Sequence, residues 1–314
     1  MVFSSFLSAQ SIVKIGLYYG KVGEGAMSKN PKGAAKQLDL FVSDILTWSP
    51  KADRHSLEHP FFSLSKRKDV RIRNYESPDG SVKIEVTPSV KGLATIWDKD
   101  VIIYAVSVLR DALNKGDKLD RNKPINITAY NLLLSTNRGS GGKSYDDLEL
   151  ALDRLKGTVI KTNIPTGGTQ KTEGFGLIEK YKIMRESNTN RMVGVELVLS
   201  DWLWDAAVAG DKDLLTINRE YFELTGGLER RLYEMSRKHC GLQKQWEISL
   251  QKLHKKSGST SSIREFRRMI REIVNRDALP DYSVSFDADK DILTVRNRAA
   301  VEIELSLNGA SVES

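Results

Sequence analysis

Apolar residues recur at helical spacing over residues 97–113, the first strongly patterned part of the chain. Trp97, Val101, Tyr104 and Val108 fall on one face there, which predicts an amphipathic helix. The elements predicted after it are a short extended piece at 125–127, a short helix at 128–135, a helix capped by Ser144 and ended by Gly157, and two strands at 158–164 and 172–183 joined by a turn at 165–168.

The same order of elements returns in the second half of the chain. A helix is predicted over 227–239, a shorter helix or turn around 246–253, and then the clearest amphipathic helix of the sequence, over 262–276. Alternating apolar residues at 282–286 and 292–295 predict a hairpin after it. Helix, short helix, capped helix and hairpin is the order of a winged helix-turn-helix. The sequence therefore predicts an α+β fold with two tandem winged-helix domains.

Composition sets the boundaries of these domains. Residues 21–60 are rich in Gly, Ser, Lys and Pro and show little apolar periodicity, which predicts a flexible N-terminal arm over 1–58. The parts predicted beyond the arm are winged-helix domain 1 at 59–200, winged-helix domain 2 at 201–298, with the junction near 199–210, and a C-terminal tail at 299–314.

The first twenty residues are fairly apolar, which raises the question of a targeting or membrane segment. Lys14 interrupts the run and no basic residue precedes it, so we predict neither a secretory signal nor a membrane span. Met27 begins a more polar stretch, and the sequence leaves open whether translation begins at Met1 or Met27. The single cysteine, Cys240, cannot form an intramolecular disulfide, so we expect a cytoplasmic protein.

Charge is informative here through its distribution more than through its total. A formal net charge of +7 over 314 residues favours a polyanionic partner only weakly. Between Gln251 and Arg276, however, eight Lys and Arg residues stand against two Glu residues. Guanidinium groups can bind phosphate or the edge of guanine, and Asn can pair with adenine. A helix with this face is either simply solvated or a DNA-recognition helix, and its place between a short helix and a hairpin favours recognition.

The residues predicted to bind DNA therefore lie mainly in the second domain: Arg264, Arg267, Arg268, Arg271 and Asn275 on the helix, with Lys252, Lys255, Lys256, Ser259, Thr260 and Ser261 before it. The corresponding helix of the first domain has an acidic outer face, which would repel phosphate. We expect that domain to dimerise and to make a smaller DNA contact, through Arg138, Lys143, Lys161, Asn163 and Lys171. The basic stretch at 66–73 either meets phosphate or is simply solvated.

The predicted arm carries one apolar patch, at 37–41. Gln37, Leu38, Leu40 and Phe41 fit the short peptide that docks on bacterial sliding clamps, in which a Gln amide enters a polar notch and Leu and Phe enter an apolar groove. Five residues match by chance fairly often. The position within a polar arm improves the case, because these apolar side chains have no core to enter.

No catalytic or metal site is predicted. The loop at 139–144 ends like a nucleotide-binding P-loop, but Asn137 stands where that motif requires Gly. A zinc site of the usual spacing cannot form with one cysteine. His55 and His59 are four residues apart in a polar stretch next to Pro60, and we regard the pair as incidental. We therefore expect no enzyme and no cofactor.

Several separate motifs stand in order along the chain: HPFFSLSK at 59–66, GLATIWDKD at 92–100, LDRLKGT at 152–158, TNI at 162–164, ERRLYE at 229–234 and RKHCG at 237–241. With these motifs the chain resembles the replication initiator protein A family of bacterial plasmids. The resemblance runs from residue 59 to about residue 298 and leaves out the N-terminal arm and the tail.

The resemblance implies a plasmid-encoded initiator that binds repeated sites in double-stranded origin DNA and helps to open an adjacent A·T-rich segment. It also implies recruitment of the host initiator, replicative helicase and sliding clamp. In related initiators the first winged helix serves largely for homodimerisation and the second for the main DNA contact. Such initiators commonly repress their own promoter as dimers.

Two other functions compete with this one. A winged-helix transcriptional repressor without a direct role in replication would need the same domains, and a lone palindrome beside the gene, rather than an array of direct repeats, would favour it. A nicking enzyme would require metal-dependent cleavage of supercoiled origin DNA. The clamp-like peptide and the ordered motifs favour the initiator.

Overall fold

The computed structural model describes residues 49–77, 79–164 and 172–302, and they form a mixed α/β fold. Its α-helices are α1 (Arg54–Glu58), α2 (Lys99–Asn114), α3 (Ala129–Ser135), α4 (Gly142–Gly157), α5 (Asp201–Ala209), α6 (Gly227–His239), α7 (Leu250–Ser257) and α8 (Ile263–Arg276). Its strands are β1 (Lys51–Asp53), β2 (Arg73–Glu76), β3 (Lys83–Thr87), β4 (Ile125–Thr128), β5 (Val159–Thr162), β6 (Glu173–Gly176), β7 (Ile178–Arg185), β8 (Met192–Leu199), β9 (Leu214–Thr216), β10 (Gln245–Ser249), β11 (Tyr282–Asp287) and β12 (Ile292–Asn297).

The two halves of the molecule repeat one arrangement of elements. In the first half, α2, α3 and α4 accompany an antiparallel sheet of order β4-β8-β7, in which Val195 lies between Ile127 and Ile183. In the second half, α6, α7 and α8 accompany a sheet of order β10-β12-β11, in which Val295 lies between Trp246 and Val284. In both sheets the last strand lies in the middle. The repetition inferred from the sequence is thus present in the topology.

The first half contains a further sheet, which includes β5 and β6 and which the apolar pattern did not reveal. We expected one strand over 172–183, paired with 158–164 as the wing. Instead the chain breaks at Leu177, so that β6 pairs with β5 while β7 pairs with β8. Strands β5 and β6 belong to a four-stranded sheet of order β2-β3-β5-β6. Apolar residues recur at two-residue spacing on both sides of the break, and such a pattern cannot show a change of pairing partner.

A packed helix, α5, occupies the stretch near 199–210 where the two domains are predicted to join. Helix α5 contacts α2, β1 and β9, and it buries Leu203, Trp204 and Ala207. Strand β8, which precedes it, was also not predicted.

Residues 51–58, expected within the flexible arm, form β1 and α1. Strand β1 pairs with β9, and Ala52 lies opposite Leu215. Helix α1 is capped by Asp53, whose carboxylate accepts a hydrogen bond from the Ser56 amide at 2.9 Å, and it buries Leu57 completely. This short polar segment is ordered because the second half of the chain covers it, which its own composition cannot indicate.

Two local predictions also differ from the structure. Helix α4 begins after Gly141, and Ser144, predicted as its cap, lies inside the first turn and donates its amide to the Gly141 carbonyl. The apolar residues around 246–253 divide between strand β10 and helix α7. By contrast, the bounds of α2, α6 and α8 agree with the predicted helices to within about two residues.

Buried ion pairs join the two halves. The Lys99 ammonium lies 2.7 Å from the Glu234 carboxylate, and the side chains are 1% and 2% exposed. Arg230 of α6 pairs with Asp100 of α2 at 2.7 Å. Arg231 donates to the carbonyls of Ser56, Leu57, Glu58 and Lys256. Because each group keeps its partner only when α6 is seated on α1 and α2, this network specifies how the halves are arranged.

None of the helices within the described ranges is long and apolar enough to cross a membrane.

Candidate nucleic-acid interface

Helix α8 is amphipathic, and its apolar side is seated in the core of the second half. Phe266 and Ile270 are fully buried and Ile273 is 5% exposed. Ser262 caps the helix by accepting a hydrogen bond from the Glu265 amide at 3.3 Å. The helix ends at Arg276, and the next residue, Asp277, has a left-handed φ of 45°. These features fix which side of α8 faces outward.

The outward face carries arginine. Arg264, Arg268, Arg271 and Asn275 are exposed, and their spacing of three and four residues places them on one side of the helix. The Arg271 guanidinium also lies 6.0 Å from the centre of the Phe286 ring, a cation–π contact with strand β11. Among the residues that the structure describes, Arg264 has no carboxylate partner within ion-pair distance.

Two arginines of α8 are held by carboxylates of the protein itself. Arg267 forms a forked pair with Asp291, in which Nε and Nη2 lie 2.9–3.1 Å from the carboxylate oxygens. Arg268 contacts Glu265 at 2.6 Å and also contacts Glu272. From the sequence alone, all the arginines of this face are expected to be available to DNA. Within the described ranges Arg264 and Arg271 form no ion pair, whereas Arg267 and Arg268 are engaged in pairs that remain partly or largely exposed.

The residues before α8 have different environments. Lys252 and Lys255 of α7 are exposed, but the Lys256 ammonium contacts Glu58 of α1. Burial opposes ionisation of Glu58, yet hydrogen bonds from His239 and Lys256 hold the pKa of its carboxyl far below the usual range. Lys256, predicted to bind DNA, is therefore neutralised inside the protein.

The loop between α7 and α8 is closely constrained. Gly258 has a φ of +73°, and a Cβ there would lie 2.5 Å from the Pro60 side chain, so only glycine fits. The Ser259 and Ser261 hydroxyls lie 2.9 Å apart, and the Ser261 carbonyl lies 2.9 Å from Nε2 of His254. Thr260 is exposed. Of the three predicted contacts in this loop, Thr260 is the one left facing solvent.

The turn between β11 and β12 is acidic. Asp287, Asp289 and Asp291 stand there against one cation, Lys290, which itself lies 3.5 Å from Asp287. This turn occupies the position of the predicted wing, and the contact of Asp291 with Arg267 was not predicted. The alternating Asp residues were visible in the sequence, but their proximity to Arg267 was not.

In the first half, the predicted DNA contacts are mostly occupied. Arg138 donates to the Trp97 carbonyl and lies 3.4 Å from Asp100. Asn163 joins two strands, accepting from the Lys83 amide and donating to the Ser81 carbonyl. Both side chains therefore support the fold. Of the predicted contacts of this half that lie in the described ranges, Lys143, at the start of α4, and Lys161, on β5 of the four-stranded sheet, remain exposed.

The outer face of α4 is acidic, as predicted, and part of it packs on strand β7. Asp153 accepts a hydrogen bond from the Tyr181 hydroxyl at 2.5 Å, and Glu149 pairs with Arg185 at 2.5 Å. Burial and the Asp153 carboxylate raise the pKa of Tyr181 to about 12. Helix α4, in the same topological place as α8, therefore offers no cationic face.

Some predicted residues lie outside the described part of the chain. They are Lys171 and the clamp-like peptide of Gln37, Leu38, Leu40 and Phe41.

His55 and His59 have structural surroundings. The His55 ring packs edge-on against Trp202 at 5.2 Å. His59 is buried beside Phe61 and Tyr75, and burial lowers its pKa to about 4, so that it is neutral at pH 7. Within residues 49–77, 79–164 and 172–302, no three His, Cys, Asp or Glu side chains come close enough to hold a metal ion.

Comparison with known proteins adds three findings. A family model described as replication initiator protein A matches residues 51–284. A replication protein of Wigglesworthia glossinidia brevipalpis is 42% identical over 266 residues, which cover 84% of this chain and 94% of the relative. Two crystal structures of domains 2 and 3 of RctB align with TM-scores of 0.53 at 15% identity, covering 76–78% of this chain and 94–97% of theirs. At that identity the structures bear on the fold alone.

Proposed function

The chain belongs to the replication initiator protein A family, and from that membership we propose that it starts plasmid replication by binding repeated sites in double-stranded origin DNA. Binding would help to open the adjacent duplex and recruit host replication proteins. No chemical step is assigned to the protein. It would act in the cytoplasm, where plasmid DNA is located.

We propose further that each half is a winged-helix domain. The repeated helix and sheet order, with the last strand central in both three-stranded sheets, supports this assignment. Helix α4 and helix α8 then occupy the recognition position. The acidic face of α4 argues against a major DNA contact through the first domain, to which we assign homodimerisation, and the arginine face of α8 supports the main DNA contact for the second.

The observation that carries the DNA-binding proposal is the outward face of α8. A recognition helix needs exposed donors on one side and a rigid support on the other, and α8 has both. The ion pairs of Arg268 do not oppose this, because exposed pairs of this kind are weak and a phosphate or base edge can replace a carboxylate partner.

Replacing Arg264, Arg268 and Arg271 together by Ala tests the proposal. Each good base contact contributes about tenfold or more to the discrimination of DNA sequence, so binding to repeats from the DNA flanking the gene should fall by about 100-fold or more. Fluorescence anisotropy with a labelled duplex measures the affinity, and a scrambled duplex of the same length gives the sequence-independent part.

The matched control removes an equal number of positive charges, three, from the first half. Lys180, Lys182 and Arg185 lie exposed on β7, and their triple replacement by Ala should leave the preference for the repeats unchanged. If both triple variants lose the same affinity, the α8 face contributes only general attraction. If the α8 variant binds the repeats like the unaltered protein, the recognition helix has been assigned wrongly.

The clamp-like peptide gives a second, independent proposal. Leu40 and Phe41 would enter the apolar groove of the sliding clamp. Their replacement by Ala should weaken capture of the protein on immobilised clamp and leave DNA affinity unchanged. An unaltered pull-down would remove the peptide from the mechanism.

The transcriptional repressor remains the alternative. It differs in the target DNA, since a repressor needs only a site at its promoter, whereas an initiator needs an array beside an A·T-rich segment. Footprinting across the flanking DNA gives the number, spacing and orientation of the sites. Permanganate reactivity of thymines beside the array then reports whether the duplex opens.

A further inference from the structure

The outward face of α8 is bordered by two flanks that belong to different halves of the molecule. On one side Arg267 leans towards the β11–β12 turn, where Asp291 holds it. On the other side, Met269, Glu272 and Arg276 line a cleft of about 300 Å³ whose opposite wall includes Leu64 and Ser65 of the first half. These two flanks are the surfaces beside which a DNA duplex would lie if α8 entered its major groove.

The flanks carry opposite charge. The β11–β12 turn has three Asp residues and one Lys over 287–291. The segment from Ser65 to Arg73, which we call the basic segment, has five Lys and Arg residues and one Asp. Phosphates of DNA are therefore repelled on the wing side of α8 and attracted on the other side.

The basic segment is held in place against the second half. Arg73 donates to the Gly258 carbonyl at 3.2 Å, and Gly258 starts the loop that leads into α8. Asp69 pairs with Arg71 at 3.0 Å and with Arg73 at 2.5 Å, which braces the segment internally. These contacts fix the Arg73 end of the basic segment beside the loop that leads into α8.

Three cations of the basic segment remain turned to solvent. Lys66, Arg67 and Lys68 are all exposed. The Lys66 ammonium lies 4.8 Å from the centre of the Trp97 ring, which limits its freedom without neutralising it. In the described ranges none of the three has a carboxylate within ion-pair distance, in contrast to Arg71 and Arg73.

We propose that the basic segment, through Lys66, Arg67 and Lys68, grips the phosphate backbone beside α8, and that the acidic β11–β12 turn stays away from it. This proposal rests on the proposed function, because it assumes that α8 meets DNA. It assigns the backbone contact next to the second recognition helix to a segment of the first half, and it gives the wing of the second half no part in phosphate binding.

The test is the salt dependence of DNA binding by the full-length protein. Each phosphate contact contributes about 0.9 to the slope of log K against log salt concentration, so replacing Lys66, Arg67 and Lys68 by Ala should reduce that slope by about 2–3. Affinity should fall by the same factor for cognate and scrambled duplexes. Replacing Lys290, the cation of the wing, by Ala should leave the slope unchanged.

Two comparisons keep the outcomes distinct. If the Arg264, Arg268 and Arg271 triple variant keeps its affinity for the repeats, the proposed function of α8 fails. If that variant loses affinity for the repeats while the basic-segment variant keeps the full salt slope, only the proposed phosphate binding by the basic segment is overturned. A reduced slope for the Lys290 variant would also overturn it, because the wing would then touch phosphate.

The triple Ala variant also removes the contact of Lys66 with Trp97, which is a structural change. A second variant therefore keeps Lys66. Replacing Arg67 and Lys68 by Glu changes only exposed side chains, and the proposal requires it to weaken binding to any duplex more than the triple Ala variant does. Circular dichroism and urea unfolding establish that each variant is folded. A folded double Glu variant with unchanged DNA affinity would refute phosphate binding by the basic segment.

Discussion

Helices α6 and α8 are both rich in arginine and glutamate, and the fold uses them in opposite ways. In α6, Arg230, Arg231 and Glu234 are at most 3% exposed, and they form ion pairs and hydrogen bonds with α1 and α2. In α8, Arg264 and Arg268 face solvent. The number of charges on a helix therefore says little about its function.

The difference between the helices arises from what packs on them. Helix α6 contacts α1, and its charged groups find partners in α2, so its charges hold the two halves together. Helix α8 is covered on its apolar side only. A buried ion pair is costly to break because the remaining partner loses both its counter-charge and water, whereas an exposed pair can exchange its partner for solvent or ligand.

The largest expected effect on stability is at Glu234, in the buried network of α6. Replacing it by Ala leaves Lys99 without its carboxylate and removes a partner from Arg231, in a region with almost no exposure. We expect the free energy of unfolding to fall by about 3–5 kcal/mol. Urea unfolding followed by circular dichroism measures it.

The matched control is Glu272 of α8, which pairs with Arg268 at the surface. Its replacement by Ala should leave the midpoint of urea unfolding almost unchanged. Glu234→Gln should fall between the two, because the amide keeps hydrogen-bonding capacity and loses the charge. Equal destabilisation at positions 234 and 272 would show that the buried network does not differ from a surface pair.

A smaller effect is expected where a charge of α8 is held in place. Asp291 orients the Arg267 guanidinium, and replacing it by Asn keeps the turn, since Asn tolerates its φ of 56°. The freed arginine then loses side-chain entropy on binding DNA, which costs about three- to tenfold in affinity for the repeats. Loss of a negative charge strengthens binding to scrambled DNA. The ratio of the two affinities should therefore fall.

Asp289→Asn is the control for that ratio. Asp289 lies in the same turn and is exposed, so its replacement makes the same change in net charge without touching Arg267. Its affinity ratio should stay at the unaltered value. If both variants lower the ratio equally, the orientation of Arg267 does not contribute to sequence preference.

The sequence predicted the long amphipathic helices and the second hairpin, because periodicity depends on which face of an element is buried and this holds wherever the element lies. Residues 263–276 carry that signal most clearly. It also predicted the family, whose matched region begins at residue 51. The family motifs are less informative about DNA binding, because Asp98, Lys99 and Arg154 within them form ion pairs inside the protein.

The sequence could not predict which polar side chains find partners far along the chain. Lys256 meets Glu58, 198 residues away, and Asn163 meets Lys83, 80 residues away. Nor could alternation show that the strand expected over 172–183 changes sheets at Leu177. These outcomes depend on tertiary contacts, which local patterns do not encode.

The smallest expected effect tests whether the surface pairs of α8 restrain DNA binding. Replacing Glu265 and Glu272 by Gln removes both partners of Arg268 and two negative charges beside the proposed DNA. Affinity should rise about two- to fivefold for cognate and scrambled duplexes alike at low salt, with little change in the melting temperature. Anisotropy titrations measure both affinities. A fall in affinity for the repeats would instead mean that these carboxylates orient Arg268 for its contact, as Asp291 orients Arg267.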